Sequence, residues 1–384
     1  MSSLLVVSSL GSEGAHAPEF RYLVSHCLLE TRRVFDRVET VDPAGALATA
    51  PGFDAVLLLA SERILIGRRT LAALAASIRM GSVEARPRPA ATFLPDGSPD
   101  GSQPPIYTLR GFERLESRAL DAPPSESAPT PTRLPVALLD AEWFQRLGAE
   151  VSVDRLLADP HAGRRLGPPD DRLTVAGLCH EFIDYYGEVR DDVLPYLPVG
   201  AREVLEVGCG RGATGALIQE RLGCRVTGVE LNPVVARDAA RRLHRVVTGD
   251  VQSLELTGRF DAILALELVE HLVDAEGFLR RITGLLAPGG RAILSIPNVG
   301  HYSVVEDLVA GRWDYLPVGL LCYTHYRFFT RSTLTDWLER SGIERFELVP
   351  QRTEPPPEPR RFDGFAADLD SLSTKGFYVL IDQA

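Results

Sequence analysis

The stretch "LEVGCGRGATG", Leu205 to Gly215, constrains the fold of this chain more than any other. An apolar run leads into Gly208, Gly210 and Gly212, and a helical pattern follows. Glycine tolerates left-handed backbone angles and lets a ligand come close to the main chain. Strand, glycine turn and helix in that order make the first unit of a nucleotide-cofactor fold, which binds its ligand at the carboxyl ends of the strands.

The segments around the loop alternate in the same way. "RVTGVEL", "RVVTGD", "FDAILAL" and "RAILSIP" read as strands, and "NPVVARDAARRL" and "AEGFLRRITGLL" read as helices. That alternation implies a parallel, doubly wound sheet. Near the end, "ERFELVP" and "GFYVLID" are strand-like with no clear long helix between them, which predicts an antiparallel edge pair. This series starts near Thr174, where "HEFIDYYGEVRDDVLPYL" reads as a helix stopped by Pro198.

A separate α/β pattern precedes it. "SLLVVSSL", "VFDRVETV" and "FDAVLLLA" read as strands, and Ala15 to Thr31 and "GRRTLAALAASI" as helices. "RPRPAATFLPDGSPDGSQPP" and "DAPPSESAPTPTRLP" read as loops or linkers. Leu134 to Leu166 carries no pattern that places it. The expectation is two domains, an accessory α/β domain over 1–175 and a cofactor domain over 176–384, and 384 residues suffice for two cores.

Composition narrows the class. The chain is 45% hydrophobic and 24% charged, as soluble globular proteins are. No apolar run approaches the roughly 20 residues of a membrane span, and the N-terminal run reads as a strand rather than a signal peptide. A net charge of −11 argues against general nucleic-acid binding. Cys27, Cys179, Cys209, Cys224 and Cys322 are scattered and form no paired motif, which fits a reducing cytoplasm.

The glycine loop alone fits a dinucleotide, since Gly208, Gly210 and Ala213 satisfy the relaxed fingerprint and Glu230 follows at the next strand end. Three features turn the reading. Glu206 sits just before the loop, where a buried carboxylate repels a pyrophosphate but suits the sulfonium and ammonium of S-adenosylmethionine. Asp250 ends the third strand in "TGD", where it can accept a hydrogen bond from an adenine amino group. Pro288-Gly289-Gly290 turns into the fifth strand. In this order the motifs "LEVGCGRG", "VEL", "GDV", "FDAILALELVEHL" and "LAPGGRAILSIPN" resemble those of class I S-adenosylmethionine-dependent methyltransferases. The resemblance implies a Rossmann-like fold with an antiparallel last strand. It also implies that Glu206, Gly208, Gly210 and Gly212 contact the methionine end, Glu230 the ribose, and Asp250 with Val251 the adenine. Leu231 and Leu266 complete the expected cofactor-binding set.

"ELVEHL" follows the fourth strand. Glu267, Glu270 and His271 are spaced to share one face of a helical turn, and "THYRFFT" brings a later His325. Carboxylates and imidazoles together suit a divalent cation such as Mg, Mn or Fe. The pattern resembles two metal-assisted O-methyltransferase groups, those acting on the terminal hydroxyl of small RNAs and those of the ubiquinone pathway. By that match Glu267, Glu270, His271 and His325 would ligate metal. Without metal, His325 or His271 would act as general base. His301 is a third catalytic candidate, and His301, Tyr302, Tyr323, His325 and Tyr326 are candidates to line an acceptor pocket. The segment from Ser295 to Ile343 further resembles methyltransferases associated with bacterial glycosyltransferases, although Cys322 stands near the position of their characteristic Asp.

The N-terminal stretch "FDAVLLLASERILIGRRTLAALAASI" resembles the centre of a GT-A glycosyltransferase that lacks the Asp-x-Asp metal motif, with Ser61 and Glu62 in its place. That implies a degenerate relative that orients a glycan or mediates homodimerisation. The expected function is methyl transfer from S-adenosylmethionine to a hydroxyl of a sugar or glycosylated small molecule. N- or C-methylation of a natural product, and a scaffold with a vestigial cofactor site, are the alternatives.

Overall fold

The computed structural model describes residues 3–8, 30–41, 46–59, 64–79, 84–89, 108–121, 136–141, 144–145, 172–181, 186–316, 318–354, 356 and 368–383. Internal contacts divide the chain into two units, Met1–Phe182 and Ile183–Ala384.

The first unit carries a seven-stranded mixed sheet in the order β2-β1-β3-β6-β5-β7-β4. Its strands are β1 (Ser3–Ser8), β2 (Arg37–Val41), β3 (Ala55–Leu59), β4 (Ile64–Ile66), β5 (Glu84–Pro89), β6 (Val136–Asp140) and β7 (Arg172–Glu181). β1 runs parallel to β2 and β3, and β6 lies antiparallel on β3. Leu4, Val6, Leu57, Ile66, Leu71 and Leu74 form the buried core between this sheet and helix α1 (Arg68–Arg79). The N-terminus of α1 is held by Glu116 of α2 (Leu109–Asp121), whose Oε1 accepts from Thr70 N at 2.8 Å.

One reading of this unit is corrected. Arg86 to Pro89 is strand rather than loop, because Pro87 falls where the β5–β7 register shifts, a position that needs no backbone N–H. β7 pairs within this sheet, and internal contacts divide the chain after Phe182. The helix expected over Ala15 to Thr31 and the Ser61–Glu62 pair lie outside the described residues, apart from Glu30 and Thr31.

The second unit carries another seven-stranded sheet, in the order β10-β9-β8-β11-β12-β14-β13. β8 (Glu203–Val207), β9 (Arg225–Glu230), β10 (Arg245–Thr248), β11 (Phe260–Leu266) and β12 (Leu286–Pro297) are parallel. β14 (Thr374–Asp382) inserts antiparallel between β12 and β13 (Glu347–Arg352), the edge arrangement that the sequence predicts. Strand residues alternate between two cores. Leu205, Val207, Ile263 and Ala265 face one, and Val204, Ala262 and Leu264 face the other. Helices α3 (Ala213–Leu222), α4 (Pro233–Ala239), α5 (Ala275–Thr283), α6 (Tyr302–Val309), α7 (Arg331–Arg340) and the short α8 (Leu369–Leu372) belong to the same unit.

Two local differences have backbone causes. "HEFIDYYGEVRDDVLPYL" forms no continuous helix. Its first two residues end β7, and among its described residues only Asp191–Tyr196 is helical, as a 3₁₀ turn containing Pro195. Pro288-Gly289-Gly290 lies inside β12, whose register on β11 shifts there, rather than before it.

Candidate methyl-transfer site

The order of strands reverses between β8 and β11, and a doubly wound sheet opens its ligand crevice at that point. Here the loop after β8 crosses the end of β9. Gly208 N and Cys209 N both donate to the Val229 carbonyl, at 2.8 and 3.1 Å. All three glycines have positive φ. At Gly210 a side chain is excluded twice, since φ is +53° and a Cβ would stand 2.6 Å from the Tyr186 carbonyl oxygen. Helix α3 then approaches β8 so closely that a Cβ on Gly215 would meet Glu206 Oε2 at 2.5 Å.

Two acids are buried here. Glu206 is 5% exposed and its Oε2 has no hydrogen-bond partner. Burial pushes its pKa up to about 8; the Gly215 backbone opposes this and the Glu230 charge adds to it. Glu230 closes the loop itself. Its Oε2 accepts from Gly210 N at 3.0 Å and its Oε1 from Asn232 N at 2.8 Å. Its pKa is also raised, chiefly by burial, although these backbone bonds favour the ionised form. Each Glu230 oxygen keeps a further lone pair for a ligand hydroxyl. Two buried carboxylates at one strand edge favour a cationic ligand over a diphosphate, which separates the two cofactor readings left by the glycine pattern.

The remaining expected cofactor residues stand along the same carboxyl edge. Asp250 is exposed in the turn after β10, its Oδ1 accepting from Gln252 N at 2.8 Å, and Val251 beside it is buried. Leu231 is exposed past β9, and Leu266 ends β11 half-buried. Arg190 escaped the sequence reading. Its backbone N donates to Thr214 Oγ1 in the first turn of α3 at 3.0 Å. Its guanidinium is held by Asp192 and the Tyr378 hydroxyl, and lies within electrostatic reach of Glu267. A lone Arg in "EVRDD" gives no spacing signal that would single it out.

Glu270, His271 and His325 converge, with one ligand atom from each lying within 4.8 Å of the others. Glu270 is wholly buried, and neither carboxylate oxygen has a hydrogen-bond partner. Burial, then the charge of Glu267, pushes its pKa well above the usual carboxylate range. His325 Nε2 stands 3.9 Å from Glu270 Oε1, and the two imidazole rings meet edge to face at 4.6 Å. Burial lowers His271 to about 4 and His325 to about 3, so both are neutral at physiological pH. This donor set fits a divalent cation, because a buried carboxylate without a donor lacks compensation for its charge.

Two expected members fall elsewhere. Glu267 does not share a helical face with Glu270. It is the only non-glycine residue with positive φ among the described residues, at +48°, and only Val269–His271 forms a 3₁₀ turn. Its Oε1 instead accepts from the Ser295 hydroxyl at 2.7 Å. His301 caps α6, fully buried, with Nδ1 2.8 Å from Ser303 Oγ and Nε2 3.0 Å from Thr353 Oγ1. Both of its ring nitrogens are thus engaged within this part of the fold. Of the acceptor-pocket candidates, Tyr326 is exposed, and Tyr302 and Tyr323 are half-buried. Thr324, which the sequence reading passed over, bonds His271.

A family model described as a methyltransferase domain matches residues 178–348. Over 174 residues the chain is 34% identical to a ubiquinone biosynthesis O-methyltransferase of Xanthomonas axonopodis pv. citri, covering 41% of this chain and 69% of that protein. Over 165 residues it is 29% identical to the protein of the same name from Pseudomonas aeruginosa, covering 39% and 68%. Among solved structures, an S-adenosylmethionine-dependent methyltransferase of Archaeoglobus fulgidus is 19% identical with a TM-score of 0.37, covering 50% of this chain and 90% of that one. The cation-favouring crevice agrees with the family model and the curated relatives, and the chain belongs to the S-adenosylmethionine-dependent methyltransferases.

Proposed function

We propose that this enzyme methylates a hydroxyl group on a sugar or glycosylated small molecule, with Glu270, His271 and His325 acting at the acceptor oxygen. The observation that carries the proposal is the buried Glu270 carboxylate without a hydrogen-bond partner, set against two neutral imidazoles. Such a carboxylate takes up either a proton or a cation. Glu270, His271 and His325 would hold the cation, which when bound polarises the acceptor hydroxyl as a Lewis acid.

The chain's own groups supply the rest. Glu206 faces the positive charge of the methionine end, Arg190 takes its carboxylate, Glu230 the ribose hydroxyls, and Asp250 with Val251 the adenine. Transfer is an in-line displacement, so the protein aligns oxygen and sulfonium, accepts one proton and excludes water. The names of the two relatives, both O-methyltransferases of ubiquinone biosynthesis, support a hydroxyl acceptor. The sugar rests on the resemblance to glycosyltransferase-associated enzymes, with the N-terminal unit as a degenerate glycan-orienting relative.

The test is transfer of labelled methyl to a panel of sugars, glycosides and phenols, with and without EDTA. The expected result is label on oxygen, loss of activity in EDTA and its return with Mn or Mg. Glu270→Ala and His325→Ala should each lower kcat by about 10²-fold or more. Undiminished turnover in EDTA would remove the cation, and label on nitrogen or carbon would remove the hydroxyl.

A further inference from the structure

His271 does not stand alone in its cluster. Its Nδ1 lies 3.0 Å from Thr324 Oγ1, and that hydroxyl lies 3.1 Å from Cys322 Sγ. A neutral imidazole donates from one nitrogen and accepts at the other, and the partner of one nitrogen decides which. Two arrangements satisfy the distances. In one, Nδ1–H donates to Thr324 Oγ1, whose own proton turns to Cys322 Sγ, and Nε2 keeps its lone pair. In the other, the thiol donates to Thr324, the hydroxyl donates to Nδ1, and Nε2 carries the proton.

We propose that Thr324 is a positioning residue that holds His271 as its Nδ1–H tautomer and leaves the Nε2 lone pair for the group that Glu270 and His325 surround. Glu270 decides between the arrangements. Neither Glu270 oxygen accepts a hydrogen bond, so neither imidazole of the cluster gives the carboxylate an N–H. A base or ligand nitrogen must present a lone pair, and basic or ligating histidines are commonly fixed through the opposite nitrogen. Thr324 lies 53 residues from His271, on the segment that also carries His325, so one stretch of chain supplies one member of the cluster and orients another.

The inference deepens the role proposed for His271 and rests on it for its functional meaning. Its test reads the ring directly. The full chain is labelled with ¹⁵N-histidine, and long-range ¹H–¹⁵N correlations are recorded at neutral pH, with His271 assigned by its loss in His271→Gln. The expected spectrum shows a protonated Nδ1 and a bare Nε2 in the native chain and in Thr324→Ser. In Thr324→Val the shifts should move toward a mixture of tautomers. A native His271 protonated on Nε2, or a folded Thr324→Val with the native tautomer, would overturn the proposal. Should Thr324→Val not fold, the native and Thr324→Ser spectra still decide it. A failed methylation assay leaves this result standing, and a wrong tautomer leaves the cofactor assignment standing.

Discussion

Glu206 and Glu230 do different work from neighbouring strands, and each difference is measurable. Glu206 has no cation beside it, and burial raises its pKa to about 8. A bound sulfonium and ammonium favour its ionised form, so binding at lower pH must first remove a proton. The sign follows: cofactor affinity rises with pH from about 6 to about 8, by up to tenfold per unit, and levels off above that. Calorimetry across that range checks it, and a flat profile would contradict the burial of an uncompensated acid. Glu230 accepts two backbone N–H groups, so Glu230→Gln is not a mild change. Its amide must turn an NH₂ toward either Gly210 N–H or Asn232 N–H. We expect a loss of about 1–3 kcal/mol, shared between fold stability and cofactor binding, readable as a lower Tm together with a weaker Kd.

The segment from Cys322 to Phe328 is laced onto the turn Val269–His271 and the residues after it. Tyr326 N donates to the Glu270 carbonyl at 2.8 Å, Thr324 bonds His271, and Arg327 donates to the Leu272 and Val273 carbonyls. Arg327→Ala removes two of these ties and the 3.8 Å ion pair with Glu276. It should lower stability by about 1–3 kcal/mol and depress kcat far more than cofactor affinity, since Glu206 and Glu230 lie on other elements. Thermal melts alongside cofactor titration separate the two effects. This lacing was hidden in the sequence because its partners lie more than 50 residues apart, and only His325 announced itself, by chemistry. The strands β8 to β12 were legible because their apolar runs alternate with helical patterns, and β13 and β14 because two strand-like runs stand without a long helix between them. β5 was not, because its prolines look like loop until the partner strand supplies the register shift at Pro87. Glu267 was misplaced because a residue spacing implies a helical face only where the backbone is helical, and its φ of +48° breaks the turn.

At the scale of the molecule, each of the two units has its own sheet and its own buried core. The glycine loop, the two buried acids, Arg190 and the Glu270–His271–His325 cluster all belong to the second unit. Among the described residues, no helix is long and apolar enough to cross a membrane. The family assignment rests on that unit, and its most direct test is calorimetric titration of the full chain with S-adenosylmethionine. The account predicts saturable binding at one site per chain, with Glu206→Ala and Gly210→Ala each weakening it at least tenfold. Absence of binding by the folded native chain, or equal affinity in both variants, would contradict it.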